Sequence, residues 1–268
     1  MARWRLTPDG EPFETHSSWF CFVRRDHDRA LLKAFKPGSD EAPSARYLAV
    51  HRGSGTVRVL ESDAAAILVE RVFPGTRLTR LPADGRDDAA CHIICDTIEK
   101  LQSSAVEISG WPGHDQHLAA FQRYPISPLT PEIVARAESL FRELDASQSG
   151  RVLLHGDLHH ENILFDEARG WLAIDPKGEI GEIAYELAAP LRNPLDDPDQ
   201  FMSPSQMDRR VSIYCERLKL DRKRVLGWCF VRTASAALWY AGRTPEPKRE
   251  KAWPAATLTA LELLERER

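Results

Sequence analysis

The chain has 268 residues, 43% of them hydrophobic, and a formal net charge of −4. That length is generous for one core and short for two independent ones, so two lobes sharing a cleft are expected. A mildly acidic chain has no electrostatic footprint for nucleic acid, no run approaches the roughly 18 apolar residues of a spanning helix, and MARWRLTPDGEPF has no apolar leader segment; a cytoplasmic protein without nucleic-acid or membrane partners is expected.

In chain order, residues 19–23 and 30–35 read as strands joined by the charged turn 24–29. Lys33 lies inside the second run, between Leu32 and Ala34. Ala-Leu-Leu-Lys has the form of a strand lysine aimed at nucleotide phosphates; the alternative is an edge lysine with its head in solvent. No G-x-G-x-x-G and no G-x-x-x-x-G-K-[ST] occurs. In their place the turn before the first strand carries Ser17 and Ser18, small hydroxyl residues expected over the nucleotide. A helix opens near Pro43, and Glu41 at its edge is the expected carboxylate partner of Lys33. Residues 64–69 form another apolar strand. Glu70, Arg71 and Val72 then precede the turn signal Phe73-Pro74-Gly75 and read as a hinge whose backbone, with side-chain identity mattering little, hydrogen-bonds an adenine edge; an ordinary interlobe linker is compatible with the same residues.

Beyond the hinge the pattern is helical. Ala90, Ile94, Ile98 and Leu101 repeat at helical spacing, Thr130-Pro131-Glu132 opens a second helix, and more are expected near 182–191, 205–218, 222–240 and 253–266. The Trp239-Tyr240 pair on the long late helix reads as core. The expected fold is therefore α+β and protein-kinase-like, with a small β-rich N-lobe (1–72) and a larger helical C-lobe (73–268). Five cysteines, at 21, 91, 95, 215 and 229, include no C-x-x-C pair and read as reduced core residues.

Within the second lobe, HGDLHHENILF (155–165) sets a polar loop between apolar strand-forming runs. His155, Asp157, Leu158 and Asn162 fit H-x-D-L-x-x-x-N, in which the Asp takes a substrate hydroxyl proton and the Asn holds a magnesium ion. One amide oxygen does not hold Mg²⁺ against water, so a carboxylate must follow. The turn 166–170 and the strand 171–174 return the chain to Asp175, which should lie beside Asn162. Zinc ligation by His155, His159 and His160 is disfavoured because H-E-x-x-H fails at Leu164, and no G-x-S-x-G is present for a serine hydrolase. A purely structural loop is the remaining alternative.

These two motifs, with WLAIDPKGEIGE (171–182), Ser17-Ser18, ALLKAFKP (30–37) and LRNP (191–194), resemble the aminoglycoside/hydroxyurea phosphotransferase family, of which streptomycin 6-kinases are members. The resemblance implies transfer of the γ-phosphoryl of ATP, with Mg²⁺, to a hydroxyl of a small, cationic acceptor, and an association with antibiotic resistance. Glu182, Asp196 and Asp197 are the acidic candidates for binding such a cation; a solvated acidic surface is the other reading. A kinase of choline, a sugar or hydroxyurea shares every catalytic residue, and a non-catalytic ATP-binding protein is a third possibility. Oligomeric state is not legible.

Overall fold

Alternating apolar positions in the first lobe resolve into a six-stranded antiparallel sheet. The computed structural model describes residues 2–15, 17–38, 42–103, 106–123, 127–195, 197–241 and 247–267. Strands β1 (Thr7–Pro8), β2 (Phe13–Glu14), β3 (Ser18–Arg25), β4 (Asp28–Phe35), β5 (Val59–Ser62) and β6 (Ala66–Glu70) are ordered β1-β3-β4-β6-β5, with β2 also on β3. The charged turn contracts to Asp26-His27, because Arg25 pairs with Asp28 and Asp26 takes the left-handed conformation, φ 56°, which Asp tolerates. Period two sorts the two faces. Cys21, Val23, Ala30 and Leu68 close a small outer core with Leu6, while Leu31 and Phe35 pack toward the main core.

Helix α1 (Ala42–His51) starts at the expected place, and its Tyr47 and Leu48 join the main core. The Phe73-Pro74-Gly75 signal is not a free turn. Pro74 opens β7 (Pro74–Arg77), which pairs with β9 (Ile163–Asp166), so the chain enters the second lobe as a strand. Helices α2 (Arg80–Ala83), α3 (Asp87–Gln102), α4 (Asp115–Arg123) and α5 (Pro131–Ala146) follow. Ala90, Ile94, Ile98 and Leu101 of α3 are buried as their spacing requires.

Three short strands remain: β8 (Val152–Leu154), β10 (Gly170–Ala173) and β11 (Glu179–Gly181). The single helix expected over 182–191 is two, α6 (Ile183–Glu186) and α7 (Ala188–Leu191). Pro190 has no N–H to donate to the carbonyl four residues back, so a continuous helix would lose a bond there. After α8 (Pro198–Phe201), α9 (Pro204–Leu218) is capped by Ser203 accepting the Gln206 N–H, and α10 (Arg222–Tyr240) by Asp221 accepting the Arg224 N–H. The final helix is α11 (Pro247–Arg266). Helix α10 is buried on all sides from Val225 to Ser235, the polar Arg232, Thr233 and Ser235 included, because it runs through the centre of the lobe, against α4, α5, α7 and α11. Tyr240 at its end packs edge-on against Trp253, ring centres 4.5 Å apart. Among the described residues no helix is long and apolar enough to cross a membrane, and all five cysteines are free.

Candidate active site

Two pairs of strands build the site. β8 pairs with β11 and β9 with β10, both antiparallel, so the loop leaving β8 (155–162) and the loop leaving β10 (174–178) emerge side by side. Register fixes the rest: Ala173 faces Ile163, and the Ile174 N–H donates to Asn162 O at 2.9 Å. Asn162 and Asp175 are thereby neighbours. His155 sews the two loops together, its Nε2 on Ile174 O at 2.9 Å and its carbonyl taking the N–H groups of Lys177 (2.7 Å) and Gly178 (3.2 Å). Burial pushes this imidazole down to about 4, so it is neutral at physiological pH. Of the other two histidines, His160 is fully buried with both nitrogens unpartnered, while His159 caps the short 3-10 turn His160–Asn162 through Nδ1 and turns Nε2 toward Asp157.

Asp157 is 28% exposed and held from several sides. Arg192 Nη2 donates to its Oδ1 at 3.1 Å, His159 Nε2 stands 3.8 Å from its Oδ2, and its backbone carbonyl accepts from Asn162 Nδ2 at 2.9 Å. Burial pushes the carboxyl up, but His159, Arg192 and Lys177 outweigh that and hold it well below the ordinary carboxylate range. The loop itself is anchored from beneath by Glu186, whose buried carboxylate accepts the N–H groups of Gly156 (3.0 and 3.2 Å) and Leu158 (3.3 Å). Gly156 is required: φ is +82°, and a Cβ there would lie 2.6 Å from Glu179 Oε1.

The opposite wall comes from the first lobe. Lys33, 6% exposed, sits 5.8 Å from the Phe20 ring centre and 5.9 Å from that of Phe35, and bonds Asp175 Oδ1 across the cleft. Asp175 has left-handed backbone, φ 58°, a conformation that Asp adopts more readily than most residues with a Cβ. With Asn162 Nδ2 committed to Asp157 O, the amide oxygen of Asn162 and the second oxygen of Asp175 form a pair of hard donors, a set that suits Mg²⁺.

Several sequence-based expectations are corrected. Ser18 is not over the cleft: it is the first residue of β3, and its hydroxyl is fully buried; Ser17, partly exposed, takes the Lys36 N–H on its carbonyl at 2.9 Å. At the hinge, side chains matter. Glu70 accepts the Arg58 N–H at 2.9 Å and a bond from Arg169 on the β9–β10 turn, while Arg71 lies 4.2 Å over the Phe22 ring and bonds Asp9 at 3.0 Å. The N–H groups of Glu70 and Arg71 are taken by Arg58 O and Arg29 O, leaving that of Val72, which bonds no acceptor among the described residues. Glu182 is not a cleft acid. It is buried, with Oε1 bonded to Arg224 at 2.5 Å and to the Trp228 indole. Asp197 is exposed and accepts the Gln200 N–H at 3.1 Å at the start of α8. Glu41 and Asp196 lie outside the described residues.

Two functional groups were missed by sequence reasoning, Glu186 and Arg192. They are two of the three charges in the otherwise mostly apolar run EIAYELAAPLRNPL, and a charge buried in such a run needs a partner.

A lysine-bearing antiparallel sheet over a helical lobe, with Asp157, Asn162 and Asp175 converging below the lysine, defines a kinase-like phosphotransferase for small molecules. The profile of the aminoglycoside/hydroxyurea antibiotic resistance kinase family matches residues 3–243, and the chain belongs to that family. It is 38% identical to a streptomycin 3''-kinase of Klebsiella pneumoniae over 247 residues, 90% of this chain and 91% of that one. A streptomycin 6-kinase of Streptomyces glaucescens is 30% identical, covering 89% of this chain and 80% of its own. Among solved structures, a choline kinase of Streptococcus pneumoniae superposes with a TM-score of 0.69 over 97% of this chain and 95% of that one at 13% identity, a likeness of fold alone. The resemblance read from the sequence and the α+β kinase-like fold are both borne out.

Proposed function

We propose that the protein transfers the γ-phosphoryl group of ATP to a hydroxyl of an aminoglycoside, with streptomycin the best-supported acceptor. The observation that carries this reading is the convergence of Asp157, Asn162 and Asp175 at the mouth of two strand pairs, with Lys33 bonded to Asp175 from the other lobe. In this reading residues 1–72 form the nucleotide lobe and 73–268 the catalytic and acceptor lobe. The Val72 N–H and the backbone of Glu70 and Arg71 meet the adenine, Ser17 approaches the phosphates, and Lys33 pairs with the α/β-phosphates. Asn162 and Asp175 would hold magnesium, which supplies neutralisation of phosphate charge when bound. Asp157, kept ionised by its neighbours, accepts the proton of the acceptor hydroxyl as the new O–P bond forms, and the β–γ bridging bond breaks to release ADP. Positioning and charge neutralisation, more than covalent chemistry, supply the acceleration. Such an enzyme works in the cytoplasm, where ATP is available.

The group beside Asp157 is a guanidinium and not the acid that a polycation would select, and this favours a second reading, a less cationic hydroxyl acceptor such as hydroxyurea. ATP consumption over a panel of streptomycin, other aminoglycosides, hydroxyurea, choline and sugars separates the two. Streptomycin is expected to give the highest turnover, and Asp157→Asn to lose transfer by about two or more orders of magnitude while still binding ATP. Near wild-type turnover in that variant would remove Asp157 from the chemistry, and a neutral acceptor outpacing every aminoglycoside would replace the first reading by the second.

A further inference from the structure

Beside the catalytic loop lies a histidine–carboxylate pair that the phosphoryl chemistry does not use. His117 Nε2 is 2.9 Å from Glu179 Oε2. Glu179 is fully buried, and its Oε1 has no hydrogen-bond partner and packs against the Cα side of Gly156, the residue before Asp157. Burial pushes this carboxyl up, but His117 and the Arg232 guanidinium outweigh it and bring it down to about 2. An ionised carboxylate is an acceptor only, so Nε2 must carry the proton donated to it. Burial also keeps the His117 imidazole below its ordinary range. A neutral ring with its one proton on Nε2 has a lone pair on Nδ1.

That lone pair is available. The His117 side chain is 25% exposed, whereas Glu179 behind it is 1% exposed, and no partner of Nδ1 occurs among the described residues. His114, one turn earlier, already does the packing, stacked on Tyr185 with ring centres 3.7 Å apart. Through Glu179, which packs against Gly156, the ring is tied to the residue that precedes Asp157.

We propose that His117, oriented by Glu179, binds the acceptor by accepting a hydrogen bond at Nδ1 from one of its N–H or O–H groups. Glu179 is the positioning residue and His117 the contacting one. The inference rests on the small-molecule kinase reading and deepens it: an acceptor rich in N–H and O–H donors is recognised through a neutral imidazole, without an exposed acid next to Arg192. A guanidinium or hydroxyl donor fits, and an acceptor with no second donor forgoes the contact.

His117→Gln separates recognition from structure. A glutamine amide reaches the Nε2 position and keeps the bond to Glu179, yet offers nothing where Nδ1 was. The expected result, with streptomycin as the first probe, is an acceptor KM raised about tenfold in both His117→Gln and His117→Ala, the value of one hydrogen bond, while the KM for ATP moves less than twofold. Glu179→Gln, which frees the tautomer, should give a smaller rise of the same kind. If another acceptor of the panel gives the highest wild-type turnover, that acceptor replaces streptomycin. An acceptor KM within twofold of wild type in a folded His117→Gln overturns the inference and leaves the kinase reading standing. Wild-type protein that transfers phosphate to no acceptor overturns both.

Discussion

Arg192 Nη2 donates to Asp157 Oδ1 at 3.1 Å, while the Nε and Nη1 of the same guanidinium are buried without partners. A buried arginine with so few bonds is justified by the one it makes. It fixes the rotamer of Asp157, and Arg210 in turn fixes the segment that carries it, donating to Asn193 O at 2.8 Å. Arg192→Met keeps much of the bulk and removes the charge. A hydrogen bond from a charged donor is worth about 1.5–3 kcal/mol, so kcat is expected to fall about 10–100-fold with the KM for ATP little changed. Arg192→Lys should recover only part, because an ammonium lacks the guanidinium fork. Wild-type kcat in the methionine variant would show that the contact is incidental.

The Asn162 and Asp175 pair predicts an ordering of metal sensitivity. Each alanine substitution should raise the Mg²⁺ concentration needed for half-maximal activity, and Asp175→Ala more than Asn162→Ala, because only the carboxylate contributes formal charge. Asp175→Ala also strips Lys33 of its bonded partner across the cleft. Magnesium titrations that coincide with wild type in both variants would remove these residues from the metal site.

Glu186 predicts a pH dependence of stability. Burial pushes its carboxyl from 4.5 up to about 7, against the N–H groups of Gly156 and Leu158, which favour ionisation. Between those two values the native state holds a proton that the unfolded state has released, so this group's contribution to stability falls as pH rises from 4.5 to 7 and is level above. The full span amounts to about 3 kcal/mol. Urea unfolding of wild type and Glu186→Gln at pH 5 and pH 8 reads most of it: wild type should lose about 2.5 kcal/mol more than the variant on going to pH 8. Parallel curves would place the proton elsewhere.

Local rules carried much of the architecture. The spacing of Ala90, Ile94, Ile98 and Leu101 made α3 legible, Thr130-Pro131 marked the start of α5, and the turn between Phe165 and Trp171 made the β9–β10 hairpin legible, hence the adjacency of Asn162 and Asp175. Lys33 was legible as a charge inside an apolar strand. In each case the partners lie within a helical turn or across one hairpin, where backbone geometry alone dictates which side chains meet.

Which acid serves the site was decided by tertiary structure. Glu182 and Glu186 are four residues apart and both buried, yet the first turns to Arg224 and Trp228 and the second to the catalytic loop. Arg192 and Asp197, five apart, part in the same way, one onto Asp157 and one into solvent. These contacts join residues 28–46 positions apart, and the Lys33–Asp175 bond spans 142. Neither a helical period nor a strand period relates such pairs. The sequence by itself determined the elements and the loop that carries the chemistry; packing of α6, α7 and α10 against that loop determined which charges face it, because burial leaves a charged side chain only the partner that the neighbouring element supplies.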